Sequence, residues 1–121
     1  MNFFKKEEFS CKDGCGVNNC SADSLMMIDE ARRYAGIPFK INRAASCKKH
    51  NKRVGGSDTS SHIADEIIES TAYDISCTNS RDRMIIVKSL FEAGFNRVGI
   101  AKTFIHADKD NNKPANVLWV Y

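Results

Sequence analysis

The sequence has little that would place it in a special class. Two prolines and seven glycines in 121 residues exclude collagen-like and low-complexity chains. No apolar run approaches the roughly 18 residues that a membrane span needs. The first residues, Met1-Asn2-Phe3-Phe4-Lys5-Lys6-Glu7-Glu8, lack the basic-then-apolar order of a secretory signal. A strong charge of one sign is missing too, since 18 Lys and Arg face 15 Asp and Glu. The short basic runs Arg32-Arg33, Lys48-Lys49 and Lys52-Arg53 read as solvated helix faces, so no nucleic-acid partner is expected. The expectation is a chain made in the cytoplasm, one domain over residues 1–121, with 42% hydrophobic residues to build a core.

An even number of cysteines is also lacking. Cys11, Cys15, Cys20, Cys47 and Cys77 are five, which argues against a disulfide framework. The cluster Cys11, Cys15, Cys20 matches no common zinc-finger spacing, and small buried or surface thiols are the expectation. A cysteine-based zinc or redox module that touches nucleic acid is the weaker rival.

The elements are legible. Residues 1–20 are polar and turn-rich. A helix follows, capped by Ser21 or Asp23, with Leu25, Ile28, Arg32 and Ala35 at helical spacing and Gly36 and Pro38 as its stop. Residues 39–42 read as a strand, 46–54 as a short basic helix, and 72–77 as a strand. A second main helix starts at Ser80 and ends at Gly94. Strands over 97–101, 103–108 and 117–121 complete the chain, and residues 63–71 fit neither template. Helices early and strands late give an α+β domain with a mostly antiparallel sheet and two main helices. Met26, Met27, Phe91, Phe95, Phe104 and Trp119 are expected in the core.

Strand alternation puts Phe104, His106 and Asp108 on one face. Asp74 is a charge inside an apolar strand and needs a partner if it points inward. Two imidazoles, His62 and His106, with the Asp74 carboxylate form a ligand set that leaves a fourth position on zinc for water. Spacing alone makes such a triple common.

The ordered segments Cys47-Lys48-Lys49-His50-Asn51-Lys52-Arg53-Val54-Gly55-Gly56, Ser60-Ser61-His62, Ala72-Tyr73-Asp74-Ile75, Gly94-Phe95-Asn96-Arg97-Val98-Gly99-Ile100 and Phe104-Ile105-His106-Ala107-Asp108 resemble the zinc D-Ala-D-Ala carboxypeptidase family. The terminal segment Asn116 to Tyr121 is similar to the last strand of its short, phage-type members. The resemblance implies the small α+β fold shared with the Hedgehog signalling domain and a zinc ion held by His62, Asp74 and His106. It implies a peptidoglycan peptide as substrate, an endolysin-like monomer, and action on the cell wall after release from the cytoplasm. Asp108 is the expected proton acceptor. Glu66 and Glu69 are weaker candidates. Arg43 is expected to help stabilise the oxyanion, Ser46 and Ser61 to contact substrate, and His50 to be structural.

Two departures from the family pattern matter. Eleven residues, 63–73, separate His62 from Asp74, a longer spacing than in the family, which admits Asp65 as an alternative ligand. Ser46 also stands where the family has an arginine before the cysteine, with Arg43 three residues earlier. A weakened clamp for a terminal carboxylate favours an endopeptidase. A non-catalytic zinc-containing binding protein of the same fold is the alternative.

Overall fold

The structure is a computed structural model in which residues 2–121 are described. A 3-10 turn over Lys6–Phe9 precedes α1 (Ala22–Ala35), β1 (Ile41–Arg43), α2 (Lys48–Arg53), β2 (Ala72–Ser76), α3 (Ser80–Glu92), β3 (Arg97–Ile100), β4 (Phe104–Asp108) and β5 (Val117–Val120). The five strands form one sheet in the order β1-β2-β4-β3-β5, antiparallel except for the parallel β3–β5 pair. The α+β expectation therefore holds, with α2 as a third, shorter helix.

Helix ends follow the local chemistry. The Ser21 hydroxyl accepts from the Ser24 amide at the start of α1, and Asn79 Oδ1 accepts from the Asp82 amide at 2.9 Å at the start of α3. α1 and α3 pack together over one sheet face, burying Ile28 and Ala31 from α1 and Ile86 and Leu90 from α3. Tyr73, Ile75, Ile105, Ala107 and Val98 are the sheet's contribution to that core. Each large aliphatic side chain buried there is worth about 1.5–3 kcal/mol. The buried Tyr73 hydroxyl meets Ser24 Oγ at 2.8 Å, which pins α1 to β2 without an unpaired polar group.

Alternation sends the intervening residues to the opposite face, and the strand register lines them up. Arg43 pairs with Asp74, Asp74 with His106, His106 with Gly99, and Gly99 with Trp119. One cross-strand row therefore carries a guanidinium, a carboxylate, an imidazole and an indole.

The aromatic and methionine expectations need correction. Phe95 is in the core, but Met26 and Phe91 are exposed. Phe104 and Trp119 are half-buried on the cleft side of the sheet rather than under the helices. Period-3.6 or period-2 patterns identify a face, not which face the helices cover.

Candidate metal centre

His62 reaches the row from a loop. Its backbone is clamped by the Ser46 amide donating to the His62 carbonyl and the Ala64 amide donating to the Ser46 carbonyl, each at 2.9 Å. The ring is buried, and His62 Nδ1 donates to the Ala44 carbonyl at 2.8 Å. A carbonyl only accepts, so Nδ1 carries the proton and Nε2 presents its lone pair. That Nε2 atom lies 3.2 Å from Asp74 Oδ2 but makes no hydrogen bond. A bare, buried lone pair beside a carboxylate oxygen is repulsive unless a cation sits between them.

Asp74 and His106 complete the group. His106 Nδ1 is 2.9 Å from Asp74 Oδ1, and the two imidazole rings meet edge-on with centroids 5.3 Å apart. One donor atom from each of His62, Asp74 and His106 lies within 4.8 Å of the other two. Two imidazoles and a carboxylate suit zinc, and the orphaned His62 Nε2 is the atom that such an ion would satisfy.

The surroundings polarise these groups. Burial by itself would raise Asp74, yet the hydrogen bond from His106 and the adjacent His62 imidazole hold it well below the usual carboxylate range. Burial would lower His106, but the carboxylates of Asp108 and Asp74 outweigh it and raise the ring above its ordinary value. Asp108 accepts at Oδ2 from His106 Nε2 at 2.7 Å, and at Oδ1 from Arg97 Nε at 2.7 Å and the Asp110 amide at 3.1 Å. Against the desolvation of its buried site, these bonds keep Asp108 ionised and below its usual value.

A cleft of about 390 Å³ opens over the group, lined among others by Arg43, Ser61, Phe104, Lys113, Trp119 and Tyr121. Arg43 stands at its wall, and its Nη2 donates to Asn51 Oδ1 at 2.6 Å and to Ser46 Oγ at 3.4 Å. Ser61 sits at the rim, donating to Asp110 at 2.8 Å and accepting from Lys113 at 2.9 Å. Ser46 is fully buried behind Arg43 and does not reach the cleft.

Asp65 is not brought to the group. Its Oδ1 accepts from the amides of Ile67 and Ile68 at 2.8 and 2.6 Å, closing a turn in the long 63–73 segment. Glu66 and Glu69 lie outside the cleft lining, and His50 lies outside the donor group. The sequence grouping of Cys11, Cys15 and Cys20 is corrected. Cys20 is buried in the core, and Cys47 joins Cys11 and Cys15 instead.

Arg97, Asn51 and Lys113 are site residues that sequence reasoning missed. Arg97 spans from Asp108 to the Pro114 carbonyl, and its guanidinium lies 5.3 Å from the Trp119 ring centroid. Asn51 had a signal in the quoted segment, because Gly56 is the residue whose missing Cβ leaves space for the Asn51 amide. Arg97 had one as well, within the quoted segment from Gly94 to Ile100, whereas Lys113 had none, since the Ser61 it meets is 52 residues away.

No curated protein sequence matches the chain. The family model described as Peptidase M15 does, over residues 2–108, and so takes in His62, Asp74, His106 and Asp108 but stops short of β5. With that match across most of its length and a histidine–carboxylate group at the foot of its cleft, the chain belongs to the Peptidase M15 family of zinc metallopeptidases.

Proposed function

We propose that the protein is an endopeptidase of bacterial peptidoglycan that cuts within stem or cross-link peptides, with zinc held by His62 Nε2, Asp74 and His106 Nδ1. The observation that carries this reading is the convergence of those three side chains beneath an open cleft. When bound there, zinc supplies Lewis acidity, acidifying water toward neutral pH and polarising a peptide carbonyl.

The chain's own residues supply the rest. The proton on His62 Nδ1 is committed to Ala44, which fixes the ring in the tautomer that a metal needs. Arg43, braced by Asn51, presents positive charge at the cleft wall, where oxyanion charge would develop. Ser61 is held at the rim by Lys113 and Asp110 and is suited to hydrogen-bond a peptide backbone. Ser46 acts through Arg43 rather than on substrate.

Asp108 is the one carboxylate lining the cleft besides Asp74. Its three hydrogen bonds support a positioning role that keeps a proton on His106 Nε2 and turns Nδ1 toward the metal. Of the roughly four acceptor positions of a carboxylate, one on Oδ2 is left for a proton-acceptor role.

The endopeptidase preference rests on Ser46 in place of the family's arginine and on the shape of the site. Ser60, Ser61 and Lys113 line both the cleft and an adjoining groove of about 750 Å³, so a chain can continue past the scissile bond. The place of action is then the cell wall, reached after release, in the manner of phage endolysins.

Incubating the protein with bacterial sacculi, with and without a chelator, and mass-analysing the released fragments tests this reading. Chelator-sensitive release of internal peptide ends is expected. Release of single terminal D-Ala residues instead would replace the endopeptidase with a carboxypeptidase. One observation favours the non-catalytic zinc protein: three of the roughly four acceptor positions of Asp108 are already occupied. Zinc bound at this centre with no fragment from any wall type would establish that alternative.

A further inference from the structure

Four metal-binding side chains that the peptidase centre leaves unused meet at the start of α2. Cys11, Asp13 and Cys15 lie in the loop after the 3-10 turn, and Cys47 caps α2. One donor atom from each lies within 4.8 Å of the other three. Cys11 Sγ and Cys47 Sγ are 3.9 Å apart, and Cys47 Sγ is 3.2 Å from Asp13 Oδ2. Two thiolates on tetrahedral zinc, with Zn–S near 2.3 Å, sit about 3.8 Å apart. All five cysteines of the chain are free thiols.

The loop is shaped to aim these groups. The Cys11 amide donates to the Val17 carbonyl at 2.7 Å, and the Cys15 amide donates to Asp13 Oδ1 at 2.9 Å. Gly14 and Gly16, with φ of 79° and 85°, turn the chain back on either side of Cys15. Among the described residues, no Lys or Arg pairs with Asp13. Three thiols and a carboxylate with no counter-cation form a soft, anionic donor set that selects zinc over calcium or magnesium.

We propose that Cys11, Asp13, Cys15 and Cys47 bind a second, structural zinc ion. Four protein ligands leave no open position for water, so the ion closes the site rather than catalysing. Each thiol gives its proton to solvent as it ligates, and no oxidation state changes. The ion ties residues 11–15 to Cys47 and closes a long loop, which restricts the unfolded chain. It also steadies α2, whose Asn51 braces Arg43 at the cleft.

Metal analysis of the full chain, purified in the presence of a reductant, reads this directly. Two equivalents of zinc are expected. Cys47→Ser and Cys15→Ser should each lose one and keep the other, whereas His62→Ala should lose only the equivalent that those variants keep. Cobalt-loaded protein should show thiolate-to-cobalt charge-transfer absorption that survives His62→Ala and disappears in Cys15→Ser.

Because a Cys47 variant can fail to fold, alkylation of the unaltered protein gives a second reading. Cys15 is exposed, while Cys20 and Cys77 are buried and serve as controls. Zinc-loaded protein should alkylate at Cys15 at least tenfold more slowly than chelated protein. Equal Cys15 rates with and without chelator, an unaltered protein that holds one equivalent in all and a His62→Ala variant that holds none, or a Cys11–Cys47 disulfide in the reduced preparation would each overturn the proposal.

Discussion

Gly99 lies directly across from Trp119 in the β3–β5 ladder, and a Cβ on Gly99 would stand 2.5 Å from the indole. The absent side chain is what lets the Trp119 ring lie in the cross-strand row, 5.5 Å from the His106 ring and over Arg97. A single backbone position in β3 therefore shapes one cleft wall through a residue beyond the family-matched span.

Gly99→Ala should displace the indole and destabilise the protein by about 1–3 kcal/mol, the cost of overpacking a fitted contact. Trp119 is the only tryptophan, so the fluorescence maximum reports its movement without interference. An unchanged spectrum with unchanged wall cleavage would show that the indole is not held by this contact.

His106→Ala should abolish zinc binding at the peptidase centre and cleavage together. It also strips Asp74 and Asp108 of a shared hydrogen-bond donor, leaving buried carboxylates short of a partner at a cost of about 3–5 kcal/mol. Calorimetric zinc titration and a thermal melt measure both effects. Retention of that zinc equivalent would remove His106 from the ligand set.

Asp108→Asn separates the two duties considered for that residue. If Asp108 positions His106, zinc affinity should fall by about 10–100-fold, with turnover restored in part by excess zinc. If it accepts the proton, zinc affinity should be unchanged and turnover should stay low at any zinc concentration. Competition with a chromogenic chelator, run beside a cleavage assay, distinguishes these outcomes.

The pH dependence of the chelated protein follows from the same cluster. His106 is raised above the ordinary imidazole value of about 6.5, so its contribution is full below that pH and is lost as pH climbs through the folded value. Asp74 and Asp108 are lowered, so theirs is present above the ordinary carboxylate value of about 4 and is lost as pH falls through the folded values. The Tm of chelated protein should therefore be highest between about pH 4 and 6 and fall past neutrality. Zinc-loaded protein should gain stability over that upper range, because protons compete with the metal for imidazole nitrogens. Melts from pH 4 to 9, with and without chelator, test the opposed slopes. A chelated protein more stable at pH 8 than at pH 6 would contradict the assignment.

Gly56→Ala should disturb the cleft from a distance. A Cβ there collides with the Asn51 amide, which both supports Arg43 and donates to the Ser57 carbonyl at 2.9 Å. Reduced turnover with zinc retained at the peptidase centre is expected, read by metal content and fragment release. Full activity would show that Arg43 does not depend on Asn51.

The elements themselves were legible because they depend on neighbours in the chain. The apolar spacing of α1, the cap at Ser21, the start of α3 at Ser80 and the alternation in β4 act within a few residues, and the observed bounds lie close to those read from sequence. The short turn at Lys6–Phe9 carried no such pattern and was not foreseen. Motif order singled out His62, Asp74 and His106 because the quoted family segments retain those residue types. Their meeting within 4.8 Å depends on the register of β2 against β4 and on the clamp between Ser46 and the His62 backbone.

Choices between equivalent residues were left to the tertiary structure. Asp65 and Asp74 are both carboxylates after His62, but only Asp74 lies on the strand paired with His106. Cys20 and Cys47 are both thiols, and chain folding exchanges one for the other beside Cys11 and Cys15. Trp119 reads as core from its hydrophobicity, and only the parallel β3–β5 pairing sends it to the cleft. Local sequence thus determined the helices, the strands and the donor types, since propensity and periodicity act over short separations. Tertiary structure decided which donors share a centre, because that depends on contacts between residues tens of positions apart.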